Sequence, residues 1–117
     1  MKPHVRVTNL GTSDITAFRL VLPLRLEWGL DPERELWYPT DRCSLGIRPG
    51  SDSLREVLLD CRNLSIVPGQ LWPDANGVVF GLHYWDWSTW DASDDPAFQG
   101  WSGEWSPASG LRIEALP

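Results

Sequence analysis

The sequence predicts an all-β fold, an antiparallel two-sheet β-sandwich, in one domain covering residues 1–117. Three observations carry that expectation. Turn-forming pairs recur along the chain, among them Leu10-Gly11, Asp31-Pro32, Tyr38-Pro39, Pro49-Gly50, Pro68-Gly69, Asn76-Gly77 and Asp95-Pro96. The stretches between them suit short strands, and few are long enough for a helix. Residues 18–28 alternate apolar and other side chains with a period of two.

Taken in order, residues 4–8 make the first strand. Residues 18–28 make the clearest one. Phe18, Leu20, Leu22, Leu24, Leu26 and Trp28 alternate with Arg19, Val21, Pro23, Arg25 and Glu27, and a helix would scatter these around its axis. Pro23 has no N–H for a ladder, so it predicts an edge position or a bulge. Residues 35–38, 64–67, 77–85 and 111–115 are further strands. Residues 54–60 also read as a strand, although Leu54, Val57 and Leu58 would equally line one face of a short helix. Seven short strands with turns between them make two sheets, each with one face in the core and one in water. An outer sheet face is a flat mount for a row of side chains.

Composition narrows the function. A chain of 117 residues can bury most of its apolar surface without a cofactor to hold the core. Eight tryptophans exceed what such a core requires. A buried indole N–H must also find a partner, so some of these rings are expected at the surface, where flat aromatics bind ligands. The net charge is −6, the pI ≈ 4.7, and Lys2 is the sole lysine. Nucleic acid and anionic membrane surfaces, which recruit Lys and Arg, are not expected partners. A neutral partner meets no penalty. No apolar run approaches the ~20 residues of a spanning helix. No basic and apolar leader opens the chain, which by itself says nothing against secretion. Cys43 and Cys61 either form a disulfide, as in a secreted protein, or remain buried thiols.

Catalysis is not expected. The chain has no G-x-S-x-G, H-E-x-x-H, P-loop or C-x-x-C motif. His4 and His83 are too few for an oxidising copper site. Asp86 and Glu104 could serve as a glycosidase carboxylate pair, but no loop is long enough to roof a cleft over them.

Between Trp85 and Asp95, three tryptophans and four aspartates fall within eleven residues. Trp85 and Trp87 would point the same way in an extended segment, about 7 Å apart by strand rise, with Trp90 following. Sugar rings have apolar C–H faces that stack on indole, while their hydroxyl edges seek polar groups. A row of such rings therefore holds a glycan without charge. The alternative is that the indoles cap one end of the core. Asp91, Asp94 and Asp95, with Asp86, repel one another unless a cation draws them together. Calcium takes six to eight oxygens from irregular loops. The alternative is an acidic loop whose aspartates cap turns.

The segment Asp86-Trp87-Ser88-Thr89-Trp90-Asp91-Ala92-Ser93-Asp94-Asp95-Pro96-Ala97-Phe98 resembles the D-W-S-N-Y-x-Q-S-N-D-Y-S-F signature of family 3 carbohydrate-binding modules, the cellulose-binding modules of scaffoldins and cellulases. Three weaker segments follow the same order. Val5 to Ser13 is similar to their V-T-N-T-G-S-S strand and turn, Leu36 to Asp41 to their F-W-C-D segment, and Leu64 to Gln70 to their L-A-P-G-G turn. The resemblance implies a nine-stranded jelly-roll sandwich, one structural calcium and a planar strip that lies on cellulose. It places Trp87 and Asp41 in that strip, and Arg42 where the family has a strip histidine. The strip arginine's position falls on Gly81, and Trp85, Trp90, Trp101 and Trp105 are candidates to rebuild the platform. Asp91, Asp94 and Asp95 stand where the second calcium loop has its ligands, with Glu27 and Asp31 in the region of the first. The resemblance further implies a secreted accessory module that binds cellulose or another β-glucan. Some relatives in that family instead pack on a glycoside hydrolase domain.

Overall fold

The alternation of residues 18–28 becomes strand β3 (Phe18–Leu24) in the computed structural model, which describes residues 3–25, 32–51, 54–74, 76–84 and 110–116. These residues are all-β, in antiparallel sheets, with no helix among them. The other strands are β1 (His4–Val5), β2 (Val7–Thr8), β4 (Glu33–Tyr38), β5 (Cys43–Pro49), β6 (Arg55–Cys61), β7 (Leu71–Trp72), β8 (Val78–His83) and β9 (Arg112–Glu114). They form a sheet of order β5-β6-β3-β9, a sheet of order β1-β8-β4, and a β2-β7 ribbon.

The even residues of β3 and the odd residues of β6 point into one apolar cluster. Phe18, Leu20, Leu22 and Leu24 meet Val57, Leu59 and Cys61 there, and β8 adds Val78, Phe80 and Leu82 from the other sheet. Trp72 closes the cluster beside the ribbon, edge-on to Phe18 at 5.8 Å between ring centroids. Asn9 ties the neighbouring turns together although it is buried. Its Nδ2 donates to the carbonyls of Ser13 and Ile66, each at 2.8 Å, and its Oδ1 accepts from the Gly11 N–H at 2.9 Å. Val67 to Gln70 make a turn in which Gln70 N–H donates to the Val67 carbonyl at 3.0 Å. Gly69 has a φ of 85° there, as the third position of a Pro-Gly type II turn demands.

Several elements differ from the sequence reading. Residues 4–8 divide at Arg6, so β1 and β2 join different sheets. Residues 64–67 contribute one bridge, Ile15 to Ile66, and no strand. Residues 54–60 are strand, not helix, because β6 pairs along its length with both β5 and β3. Pro23 sits inside a ladder with Glu56 opposite it. The edge it predicts is local: β9 pairs only with Arg19 to Val21, so Pro23 lies past its reach. Strands β5 and β7 are additional. Leu26 and Trp28 lie outside the described residues.

The outer face of the larger sheet is ionic. Arg19 holds Asp60 through two nitrogens, Nε to Oδ1 at 2.7 Å and Nη2 to Oδ2 at 2.9 Å. Arg48, Glu56, Arg112 and Glu114 close a ring. The contacts run Arg48–Glu56 2.7 Å, Glu56–Arg112 2.6 Å, Arg112–Glu114 3.3 Å and Glu114–Arg48 2.8 Å. Because β3 lies between β6 and β9, the ring spans β3. Val21 is fully buried on this face and Leu58 nearly so, although neither belongs to the core cluster. Val21 stands between Leu58 of β6 and Arg112 of β9, within the span of the ring, where long arginine stems can cover apolar neighbours.

The ring also sets an acid response. Burial works against the charge of Glu56, but hydrogen bonds from Arg48 and Arg112 outweigh it and hold the carboxyl below its ordinary value. Glu114 is lowered as well, first by its hydrogen bond from Arg48. Both folded-state values lie under the unfolded one of about 4.3. The stability they supply is therefore complete above that value and is lost as pH falls through the folded pKa. Melting temperature followed from about pH 7 to about pH 3 is expected to drop at the acid end. Glu56→Gln should flatten that drop and lower the melting point at neutral pH, because Arg48 and Arg112 would then share the single counter-charge of Glu114. An equally steep acid limb in the variant would remove the ring from the account.

Candidate functional site

The outer face of the β1-β8-β4 sheet is built differently. Opposed residues in an antiparallel pair share a face. Val78, Phe80 and Leu82 point into the core, so Val79, Gly81 and His83 point outward. Their partners follow: Glu33 opposite His83, Glu35 opposite Gly81, Tyr38 and His4 on either side of Val79. The β4-β8 register shifts between Leu36 and Tyr38, and Trp37 is the extra residue of that bulge. A bulge re-aims side chains. Strict alternation would turn one of two consecutive residues inward, but here Trp37 and Tyr38 are both half-exposed, at 44% and 46%.

Each ring is held. The Trp37 indole lies against Gly81, so closely that a β-carbon at Gly81 would collide with the six-membered ring. The Tyr38 hydroxyl donates to Asp74, and that bond, followed by the charge of Asp74, raises the phenol above its ordinary pKa. Asp74 is fixed in turn, since its Oδ1 accepts from Asn76 N–H at 2.8 Å and Gly77 N–H at 3.2 Å. His4 sits at the same end, its Nδ1 3.1 Å from the Asn76 carbonyl. Two half-exposed aromatic residues at successive positions of β4 can stack on the C–H faces of a sugar. The polar rim can meet its hydroxyls.

Of the residues singled out from sequence, Asp41 and Arg42 are described. They occupy the turn between β4 and β5, directly after the aromatic pair, with Arg42 Nε 3.7 Å from Asp41 Oδ2. Both side chains are well exposed. The structure thus brings Asp41 and Arg42 to the end of β4 that carries Trp37 and Tyr38. Trp85, Trp87, Trp90, Trp101 and Trp105 lie outside the described residues, as do Asp91, Asp94, Asp95, Glu27 and Asp31, and Asp86 and Glu104. Among the described residues, no group of three His, Cys, Asp or Glu side chains could hold a metal ion.

The sequence reading did not single out Trp37 and Tyr38 as a binding surface. A signal was present: two adjacent aromatics after Glu33-Arg34-Glu35, before a proline, in a segment too polar for a buried strand. Gly81 has no side chain, and the indole of Trp37 covers the spot. The other described tryptophan, Trp72, is a core residue at 7% exposure. Cys43 and Cys61 form a disulfide, which resolves the two readings of the cysteines. No protein-family model matches the chain, and neither a curated protein nor a solved structure matches it.

Proposed function

We propose that the chain is a non-catalytic carbohydrate-binding module that holds cellulose or a related β-1,4-glucan by aromatic stacking. The observation that carries this reading is the outward pair Trp37 and Tyr38, braced by Gly81 and Asp74 on an open sheet face. Asp41 and Arg42 extend the polar edge of that surface, and Trp85, Trp87 and Trp90 continue the platform in the proposal. The sheets are arranged as a two-layer jelly-roll sandwich in this reading. One core cluster fed from both larger sheets is what supports it. The cross-strand disulfide supports a secreted protein, since such bonds persist in oxidising surroundings.

Adsorption to a panel of insoluble polysaccharides tests the proposal. Retention on cellulose is expected, with little change between low and high salt, because stacking on an uncharged glycan involves no ion pair. A chain that stays in the supernatant with every neutral glucan tested is not a module of this kind.

The calcium in this reading rests on donor chemistry. Asp91, Asp94, Asp95, Glu27 and Asp31 are all carboxylates, the hard oxygen donors that calcium takes. An ion that binds only the folded chain stabilises it by RT ln(1 + [L]/Kd), about 2.7 kcal/mol at a hundred times Kd. Melting in calcium is therefore expected to exceed melting in chelator by several degrees. Coincident curves would take the ion out of the proposal.

A further inference from the structure

The two outer sheet faces treat their acids in opposite ways. On the β5-β6-β3-β9 face, Glu56, Asp60 and Glu114 are each bonded to arginine. On the β1-β8-β4 face, Glu33 and Glu35 are exposed beside the aromatic pair, and neither forms an ion pair among the described residues. Glu35 stands opposite Gly81, the residue covered by the Trp37 ring, and Glu33 stands one outward position further along. His83 stands opposite Glu33, with its Nδ1 2.9 Å from the Tyr84 carbonyl. Arg34 alternates to the other side of β4 and donates to the Pro32 carbonyl at 3.1 Å. Arg42 lies beyond Tyr38 at the far end, with Asp41 beside it.

Resting on the proposed carbohydrate-binding reading, we infer that this face prefers a β-1,4-linked polysaccharide that carries ammonium groups, partly N-deacetylated chitin being the type, over its neutral and anionic counterparts. Such a chain offers the same C–H faces to Trp37 and Tyr38 as a glucan does. Its ammonium groups, spaced along the polymer, meet Glu33 and Glu35 on the exposed flank. An ammonium that falls over the indole gains a further attraction from the ring quadrupole. An anionic glycan with the same backbone meets two carboxylates and is repelled.

Adsorption isotherms of the full chain on chitosan beads, cellulose and carboxymethyl cellulose, at mildly acidic pH, test the inference. At low salt, chitosan is expected to bind about fivefold to tenfold more tightly than cellulose, as two exposed charge contacts allow. In about 1 M salt, where the screening length is about 3 Å, the two affinities should converge. Glu33→Gln/Glu35→Gln should reduce the low-salt preference for chitosan to less than twofold. Trp37→Ala should weaken binding to chitosan as well as cellulose, which ties the attraction to this face and not to the chain's overall acidity. The inference is overturned if chitosan binds no more tightly than cellulose. It is also overturned if the preference survives the double glutamine variant, or if chitosan binding is untouched in Trp37→Ala. Cellulose binding without a chitosan preference overturns the inference alone, whereas failure on every polysaccharide overturns the carbohydrate reading beneath it.

Discussion

Trp37→Ala is expected to weaken adsorption to cellulose by about tenfold to a hundredfold, at a melting temperature close to the parent's. The magnitude follows from stacking. Alanine substitution of an aromatic that stacks on a flat ring costs about 1–3 kcal/mol in the well-studied case of nucleobases, and each 1.4 kcal/mol is about tenfold. Stability should change little, because Trp37 is an exposed bulge residue outside the core cluster. Gly81→Ala is the second arm. Its methyl would occupy the place of the Trp37 ring and swing the indole off the sheet, leaving the tryptophan present but misplaced. Both variants should lose retention on cellulose, which separates ring position from ring presence. If both adsorb as the parent does, the contact is not on this face, and Trp85, Trp87 and Trp90 become the place to look.

The parts of the fold that were legible in the sequence are those where one face of a strand is dry and the other wet. β3 shows this in part: its even residues are all in the core, while Arg19 and Pro23 on the other face are only partly covered and Val21 between them is buried. The period of two weakens where both faces are covered. Val57 and Leu58 are consecutive and both buried in β6, Val57 in the core cluster and Leu58 on the ionic face, which is why residues 54–60 also suited a helix. Nothing local in the sequence announces that Arg48, Glu56, Arg112 and Glu114 close a ring, since the partners come from strands far apart in the chain. β5 was hidden for a different reason. Gly46 and Pro49 resemble punctuation, yet Gly46 stands opposite Leu58 at a position where no side chain is required, and Pro49 ends the strand.

The proposed site was legible more as a chemistry than as a place. Tryptophan excess and acidity pointed to an uncharged ligand on an aromatic surface, and among the described aromatics Trp37 and Tyr38 are the half-exposed pair on which the proposal rests. Their joint outward orientation depends on one inserted residue in the β4-β8 ladder. A bulge is decided by pairing with a strand some forty residues away, so periodicity within β4 cannot reveal it. Asp41 and Arg42 came from a motif resemblance, and they fall in the turn that follows β4.

Replacement of both cysteines, Cys43→Ala/Cys61→Ala, is expected to lower stability by about 3 kcal/mol, or roughly 10–20 °C in melting temperature, without loss of glycan adsorption in the cold. The bond joins directly opposed residues of β5 and β6, 18 positions apart in sequence, and both sulfurs belong to the core cluster. Its main effect is on the unfolded chain, where it removes the entropy of an open loop of that length. In the folded protein the β5-β6 hairpin retains its full ladder from Cys43–Cys61 to Pro49–Arg55, so the architecture should persist below the new melting point. Binding should persist with it, because Trp37 and Gly81 sit on β4 and β8, in the other sheet. Calorimetry and a cellulose isotherm on the same variant read the two consequences separately. An unchanged melting point would mean that the hairpin is already restrained in the unfolded state. A lost isotherm on protein that is still folded would mean that the aromatic face depends on the opposite sheet, through the β4-β5 turn where Arg62 N–H donates to the Arg42 carbonyl at 2.9 Å.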